Sequence, residues 1–266
     1  MPIIHTADLT AISQEAFAKL DYRVMGAAFA AHNELGRLFK ESHYARHMAS
    51  RLSELGHDVE YEYKISLTHE DFTKDYYVDL LIDRFVPYEL KTVKELSTEH
   101  EAQTLNYLYL CDVRHGKLIN FQKPSVESRF ISTSLNYEQR LGFSFEQFDW
   151  LETSKRPIKA TLKELLDDWG AYLSLEAYKE ALVYFCCAPD LRDKPLSFKT
   201  NSGYSGDVRL NRIDDESFLY LTTRSKYLND HEKHLSTLLK MTGQRCAQWI
   251  HFDRNRVILR SIRFPI

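Results

Sequence analysis

Glycine is scarce in this chain, with nine residues in 266. That argues against a glycine-rich binding scaffold. Cysteine is equally sparse: Cys111, Cys186, Cys187 and Cys246 are the four, and none forms a C-x-x-C pair. Zinc-ribbon and thioredoxin-like sites are thereby excluded. Their neighbours are apolar, as in Val183-Tyr184-Phe185-Cys186, which reads as buried free thiols in a reducing cytoplasm. No apolar run approaches the ~20 residues a membrane span needs. Met1 to Leu20 carries acids and no apolar core, so no signal peptide is expected. Charge of one sign is also missing. A net −3 excludes a strongly basic nucleic-acid coat protein but not a nuclease.

What is present is an ordinary globular composition, 44% hydrophobic and 27% charged, which excludes intrinsic disorder. The length suits one large domain or two of usual size. The mean charge hides an asymmetry. Residues 1–150 hold 16 Lys+Arg against 23 Asp+Glu, a net −7, and residues 151–266 hold 19 against 15, a net +4. An acidic half suits a cation and a basic half suits a polyanion.

Periodicity gives the element order. Val24, Ala28, His32 and Leu35 predict a helix over 22–35 that Gly36 ends, and Tyr44, Met48, Leu52 and Leu55 predict a second over 41–55. Strands are expected at 59–67, 76–82 and 85–93, the last two joined by a short turn at Asp83-Arg84. A helix over 99–111, with Thr98 as N-cap, and strands at 117–121 and 129–133 follow. The second half, after Lys155-Arg156-Pro157, reads as a helix at 173–185, strands at 208–213 and 218–222, a helix at 230–241, and strands at 246–252 and 257–264. The fold class is mixed α/β.

The two halves repeat. Shifting residues 90–131 forward by 131 gives eleven identities in 42 positions, among them Leu90/Leu221, His100/His231, Leu108/Leu239, Ile119/Ile250, Phe121/Phe252 and Arg129/Arg260. Chance gives roughly two or three. Upstream the offset is 134, placing Gly36 on Gly170 and Tyr44 on Tyr178. The reading is a tandem duplication, with domains at 1–150 and 151–266.

Asp79, Glu89 and Lys91 are the candidate chemistry. Asp79 interrupts an apolar strand, and Glu89 and Lys91, two apart on the next, share a face. A hairpin sets Asp79 beside them. Two carboxylates and an ammonium together are costly unless a cation joins them, and oxygen ligands suit Mg²⁺ or Mn²⁺. The trio alone is a weak signal, explained more readily by salt-bridged strands without catalysis. Gln103 and Tyr107 stand four apart on the following helix and share a face that can reach the trio. Glu41 opens the second helix three before Tyr44, where dipole complementation also accounts for it.

In order along the chain, Leu35-Gly36 with Glu41 and Tyr44, Val78-Asp79-Leu80-Leu81, Glu89-Leu90-Lys91, Glu95-Leu96, Glu101-Ala102-Gln103 with Leu105-Asn106-Tyr107, and Leu118-Ile119-Asn120-Phe121 resemble the GxxExxY family. That family lies in the PD-(D/E)xK nuclease superfamily, similar to its RecB-like branch. The resemblance covers about residues 20–133; Leu38 stands where the family has a glycine. It implies a restriction-endonuclease-like fold, a mixed central sheet flanked by helices, here present twice in tandem. It implies Mg²⁺-dependent phosphodiester hydrolysis of nucleic acid without implying the natural substrate; the expectation here is DNA, with Mg²⁺ or Mn²⁺ as the ion. By position, Asp79, Glu89 and Glu41 would be metal ligands, Lys91 the catalytic lysine, and Gln103 and Tyr107 supporting site residues.

At the same offsets Glu89 falls on Tyr220, Lys91 on Thr222, Gln103 on His234, Tyr107 on Leu238, Asp79 on Leu210 (with Asp207 nearby) and Glu41 on Leu175. The second half therefore reads as a degenerate copy without the site. Its Arg254, Arg256, Arg260 and Arg263 suit phosphate contacts or a charged edge strand equally. The expectation is a cytoplasmic nuclease with one site in the N-terminal half, as a homodimer or a pseudo-dimeric monomer. The rival is a non-catalytic nucleic-acid-binding or assembly module.

Overall fold

The structure is a computed structural model and describes residues 2–192, 194–200, 202–223 and 228–264. The chain divides into two compact units, Met1–Gln139 and Arg140–Ile266.

In the first unit a short strand β1 (Ile3–His5) precedes helices α1 (Gln14–Leu35) and α2 (Glu41–Glu54). Three antiparallel strands follow, β2 (Val59–His69), β3 (Phe72–Ile82) and β4 (Val86–Lys91). Helix α3 (Thr98–Cys111) then crosses to β5 (His115–Asn120), which lies parallel to β4, and β6 (Glu127–Ser132) closes the sheet antiparallel to β5. The six strands run in chain order across one mixed sheet, a restriction-endonuclease-like arrangement.

Local chemistry explains these elements. The Ser13 side chain accepts from the Ala16 N–H at 3.2 Å and caps α1, which extends two turns upstream of its sequence-predicted start. Phe17, Leu20, Val24, Ala27, Ala28 and Ala31 line its buried face. Gly36 ends it with φ 71°, a left-handed value that glycine adopts without a Cβ penalty. The β3–β4 turn takes positive φ at both Asp83 and Arg84, and Phe85 N–H bonds the Ile82 carbonyl at 3.0 Å. This is the primed geometry that matches strand twist. At α3 the cap is Ser97 rather than Thr98, in a capping box with His100.

Tyr88, Leu90, Leu80, Ile82, Ile119 and Phe121 face α1 and α2 and form the main core with Tyr44, Met48 and Leu52. Each such fully buried side chain contributes about 1.5–3 kcal/mol. The opposite face of β3, β4 and β5 is left for α3.

The second unit begins at Arg140, the last residue of a one-turn helix α4 (Tyr137–Arg140). It comprises β7 (Ser144–Phe148), α5 (Ile158–Trp169), α6 (Leu175–Cys186), the hairpin β8 (Leu196–Lys199) and β9 (Ser205–Val208), β10 (Asn211–Arg212), β11 (Ser217–Thr223), α7 (Leu228–Thr242), β12 (Cys246–Asp253) and β13 (Arg256–Arg263). Its five-stranded sheet runs β10-β11-β12-β13-β7. The boundary lies at 139/140 instead of 150 because β7 pairs with β13, and Arg140 is fully buried with its guanidinium on the Trp169 carbonyl at 2.9 Å. For the same reason β13 is an interior strand. Arg256 pairs with Glu146 and Asp253, and Arg260 with Glu232, so these arginines are engaged within the unit. Helix α5 carries no chemistry motif and was not anticipated from the sequence; its apolar side buries Leu162, Leu165, Leu166 and Trp169.

The units share their strand register. Glu89 pairs with Leu118 and Lys91 with Asn120 across β4 and β5; 131 residues later, Tyr220 pairs with Trp249 and Thr222 with His251 across β11 and β12. Leu118 meets Arg129 in β6, and Trp249 meets Arg260 in β13. Tyr44 OH donates to the Gly36 carbonyl and stacks on Phe121; Tyr178 OH donates to the Gly170 carbonyl and stacks on Phe252. No described helix is long and apolar enough to cross a membrane.

Candidate active site

Antiparallel pairing of β3 and β4 runs from Ile82↔Val86 to Leu80↔Tyr88 and then stops. One step further the strands part, and the Asp79 carboxylate takes over from the backbone, accepting from the Leu90 N–H at 2.7 Å. Asp79 and Glu89 thus meet at the point of divergence, on the face that α3 covers. Glu89 is 3% exposed. Its Oε1 accepts from Lys91 Nζ at 2.5 Å, while Oε2 is buried with no hydrogen-bond partner. A buried charged oxygen without a partner is costly, so this atom marks a place for a cation or a proton.

Glu41 arrives from α2. Its Oε1 accepts from the Thr92 N–H at 2.9 Å, tying the start of that helix to the end of β4. From α3, Gln103 Nε2 donates to Tyr107 OH at 3.1 Å, and Tyr107 is buried. Burial, then the neighbouring Asp79, and to a lesser degree Glu41, push the Glu89 carboxyl up to about 8, against the opposing pull of Lys91. Asp79 is raised by burial and by Glu41 and Glu62, opposed by the Leu90 N–H and Lys91. Tyr107 is raised by burial, Glu89 and Asp79, which keeps its hydroxyl protonated. Glu41, Asp79, Glu89, Lys91, Gln103 and Tyr107 therefore converge on one locus from four elements.

The sequence reading missed three neighbours. Glu62, on β2 between the Tyr61↔Leu80 and Tyr63↔Val78 pairs and so facing Asp79 of β3, is left-handed with φ 51° and accepts from Tyr61 OH at 2.8 Å. Strand alternation gave no signal for it, since only the β2–β3 register places it there. Asn120 clamps the loop after β4, accepting from Val93 N–H at 3.1 Å and donating to the Val93 carbonyl at 2.8 Å. Thr92 supplies the N–H that Glu41 holds.

In chemistry the donors suit a hard divalent cation: Asp79, Glu89 and Glu41 offer carboxylate oxygens, one of them buried and unpartnered, with no sulfur or imidazole among them. The three are not drawn into one coordinating cluster as they stand, so an ion would have to gather them.

Residues 18–131 match the family model of the PD-(D/E)XK nuclease superfamily. All six candidate residues fall inside the matched segment. Comparison with curated proteins and with solved structures gives no match.

In the second unit the corresponding strand carries neutral groups. Thr222 Oγ1 accepts from Trp249 Nε1 at 2.8 Å and bonds His251 Nδ1 at 2.9 Å; Tyr220 OH bonds His231 Nδ1 at 3.3 Å. Asp207 lies on the separate β8–β9 hairpin, accepting from Ser197 at 2.7 Å, and not beside Tyr220's strand. The rings of His231 and His251 each lie near the Trp249 ring, at 6.0 and 6.2 Å between centroids, and His234 is exposed.

Proposed function

We propose that the first unit is a metal-dependent nuclease hydrolysing phosphodiester bonds, with DNA as the first substrate to test. The observation that carries the reading is the unpartnered, buried Glu89 Oε2 beside Asp79 and Glu41, with Lys91 on the other carboxylate oxygen. The superfamily match over residues 18–131 supports it. Asp79, Glu89 and Glu41 would hold Mg²⁺ or Mn²⁺. Bound there, such an ion lowers the pKa of a coordinated water and neutralises charge on the scissile phosphate.

The chain's own residues supply the rest. Lys91 fixes the Glu89 carboxylate and places a cation where phosphate charge develops. The Leu90 N–H holds Asp79 in orientation, and the Thr92 N–H does the same for Glu41. Tyr107, kept protonated, is a hydroxyl donor to a phosphate oxygen, and Gln103 orients it. The motif order favours the GxxExxY subfamily within the RecB-like branch. The four buried free thiols suit a reducing cytoplasm.

We further read the second unit as a degenerate copy. Shared strand register at offset 131 and the twin Tyr44–Gly36 and Tyr178–Gly170 bonds support common origin. Tyr220 and Thr222, standing where Glu89 and Lys91 stand, support loss of the metal site and a binding or assembly role for this half. The test is hydrolysis of labelled DNA and RNA with Mg²⁺ or Mn²⁺, with and without EDTA. Full activity in Lys91→Ala or Asp79→Ala protein sinks the assignment.

A further inference from the structure

The turn joining α1 to α2 exposes Arg37, Leu38, Phe39 and Lys40 in succession. Leu38 is 91% exposed and Phe39 47%. Yet the turn is held firmly. Gly36 closes α1, its carbonyl takes the Tyr44 hydroxyl at 2.7 Å, the Lys40 carbonyl accepts from the His43 N–H at 3.0 Å, and Glu41 is tied to Thr92. The Phe39 ring packs T-shaped with His43, with centroids 5.4 Å apart, and about half of the side chain remains exposed. Arg37 and Lys40 have no carboxylate partner among the described residues. A firmly held turn that leaves Leu38, much of Phe39 and both cations exposed presents them to a partner.

We propose that this turn binds single-stranded nucleic acid, with a base stacked on Phe39 and backbone phosphates at Arg37 and Lys40. The proposal rests on the nuclease reading of the neighbouring carboxylates and gives that site its substrate class. Phe39 is two residues before Glu41, so their Cα atoms lie at most about 7 Å apart. A base held there leads its own strand to the site. Duplex bases are stacked on each other and offer no free face, whereas an unpaired base does, and aromatic stacking with flanking cations is how single strands are held without sequence preference. A second copy of the chain fits worse, because a two-fold contact through this turn sets Arg37 and Lys40 against their own equivalents.

The test is fluorescence anisotropy in EDTA, using labelled oligothymidylate and a hairpin duplex of equal length. The single strand is expected to bind more tightly. Phe39→Ala should weaken it by about fivefold or more, while Phe39→Trp retains it. Arg37→Ala with Lys40→Ala should lower the slope of log affinity against log salt by about 1.4, or about 0.7 for each phosphate released. Unchanged thermal melts verify that these exposed substitutions leave the fold intact. Equal affinity for both probes with Phe39→Ala neutral, or no binding to either, overturns the proposal. So does a dimer in sedimentation that Phe39→Ala dissociates. Since the assay involves neither metal nor hydrolysis, its failure leaves cleavage intact, and failure of the nuclease reading leaves Phe39-dependent binding intact.

Discussion

Lys91 Nζ stands 2.5 Å from one carboxylate oxygen of Glu89, and the other oxygen of that carboxylate is buried with no partner. The two oxygens therefore have different fates. One is balanced within the chain. The other awaits a proton or a cation, and the charges of Asp79 and Glu41 bear on the same carboxyl.

Divalent cations should therefore stabilise the folded protein. At a concentration one hundred times the dissociation constant, Mg²⁺ or Mn²⁺ adds about 2.7 kcal/mol by mass action. Thermal melts should shift upward with added metal, and the shift should vanish in Asp79→Asn protein. An equal shift in that variant would remove Asp79 from the ligand set.

Without metal, stability should fall as pH rises. The Glu89 carboxyl sits at about 8 when folded and near its ordinary 4.5 when unfolded. Between those values the folded state keeps a proton that the unfolded state has released. The contribution is fully present below pH 4.5, is lost as pH rises through about 8, and has a slope of at most about 1.4 kcal/mol per pH unit. The raised Asp79 acts in the same sense. Urea unfolding in EDTA across this window measures it, and Glu89→Gln should flatten the profile. A stability that rises over the same window would contradict the site's electrostatics.

Lys91→Ala should lower hydrolysis by about 10²–10³-fold, the scale for losing one positioned charge donor at a reacting oxyanion. Lys91→Arg should not restore it fully, because a planar guanidinium cannot repeat the single 2.5 Å contact of the ammonium with Glu89. Single-turnover cleavage rates decide this, since they separate chemistry from binding.

Thr222→Val should destabilise the second unit by about 1–3 kcal/mol, because it strands the buried Trp249 Nε1 and His251 Nδ1. Cleavage by the first unit should be unaffected at temperatures below the melt. Loss of cleavage with the fold intact would give the second unit a catalytic part.

Tyr44→Phe and Tyr178→Phe each delete one hydroxyl donor to a glycine carbonyl and should cost about 1 kcal/mol. Gly170→Ala should cost more than Gly36→Ala. Both glycines have positive φ, but a Cβ at Gly170 meets the Arg140 Cβ at 2.9 Å, whereas at Gly36 it meets nothing within 4 Å. Chemical denaturation of the four variants checks the order.

The repeat was legible in the sequence because it is written in local terms. Identities at offset 131 follow the α3-to-β6 and α7-to-β13 segments, and the strand registers now carry the same offset. Apolar periodicity likewise placed most helices within a turn. Asp79, Glu89 and Lys91 stood out as charged groups inside apolar strands, whereas Glu41, Gln103 and Tyr107 were marked by helix-face spacing and by the order of the motifs.

Other features depend on partners far along the chain. The β3–β4 ladder stops at Leu80↔Tyr88, and only this divergence lets Asp79 reach the Leu90 N–H. Glu62 becomes a neighbour of Asp79 through the register of β2 on β3. The boundary at 139/140 follows from the pairing of β7 with β13, more than 100 residues away. Strand pairing leaves no mark in the five residues of Ser144–Phe148, since any strand with that alternation fits several edges. The sequence by itself determined the element types, the repeat and the identity of the charged groups, which short-range periodicity and side-chain chemistry specify. Only the tertiary structure decided which strands part, which oxygen of Glu89 lacks a partner and which turn is left exposed beside it, because burial and register are properties of residues brought together from distant parts of the chain.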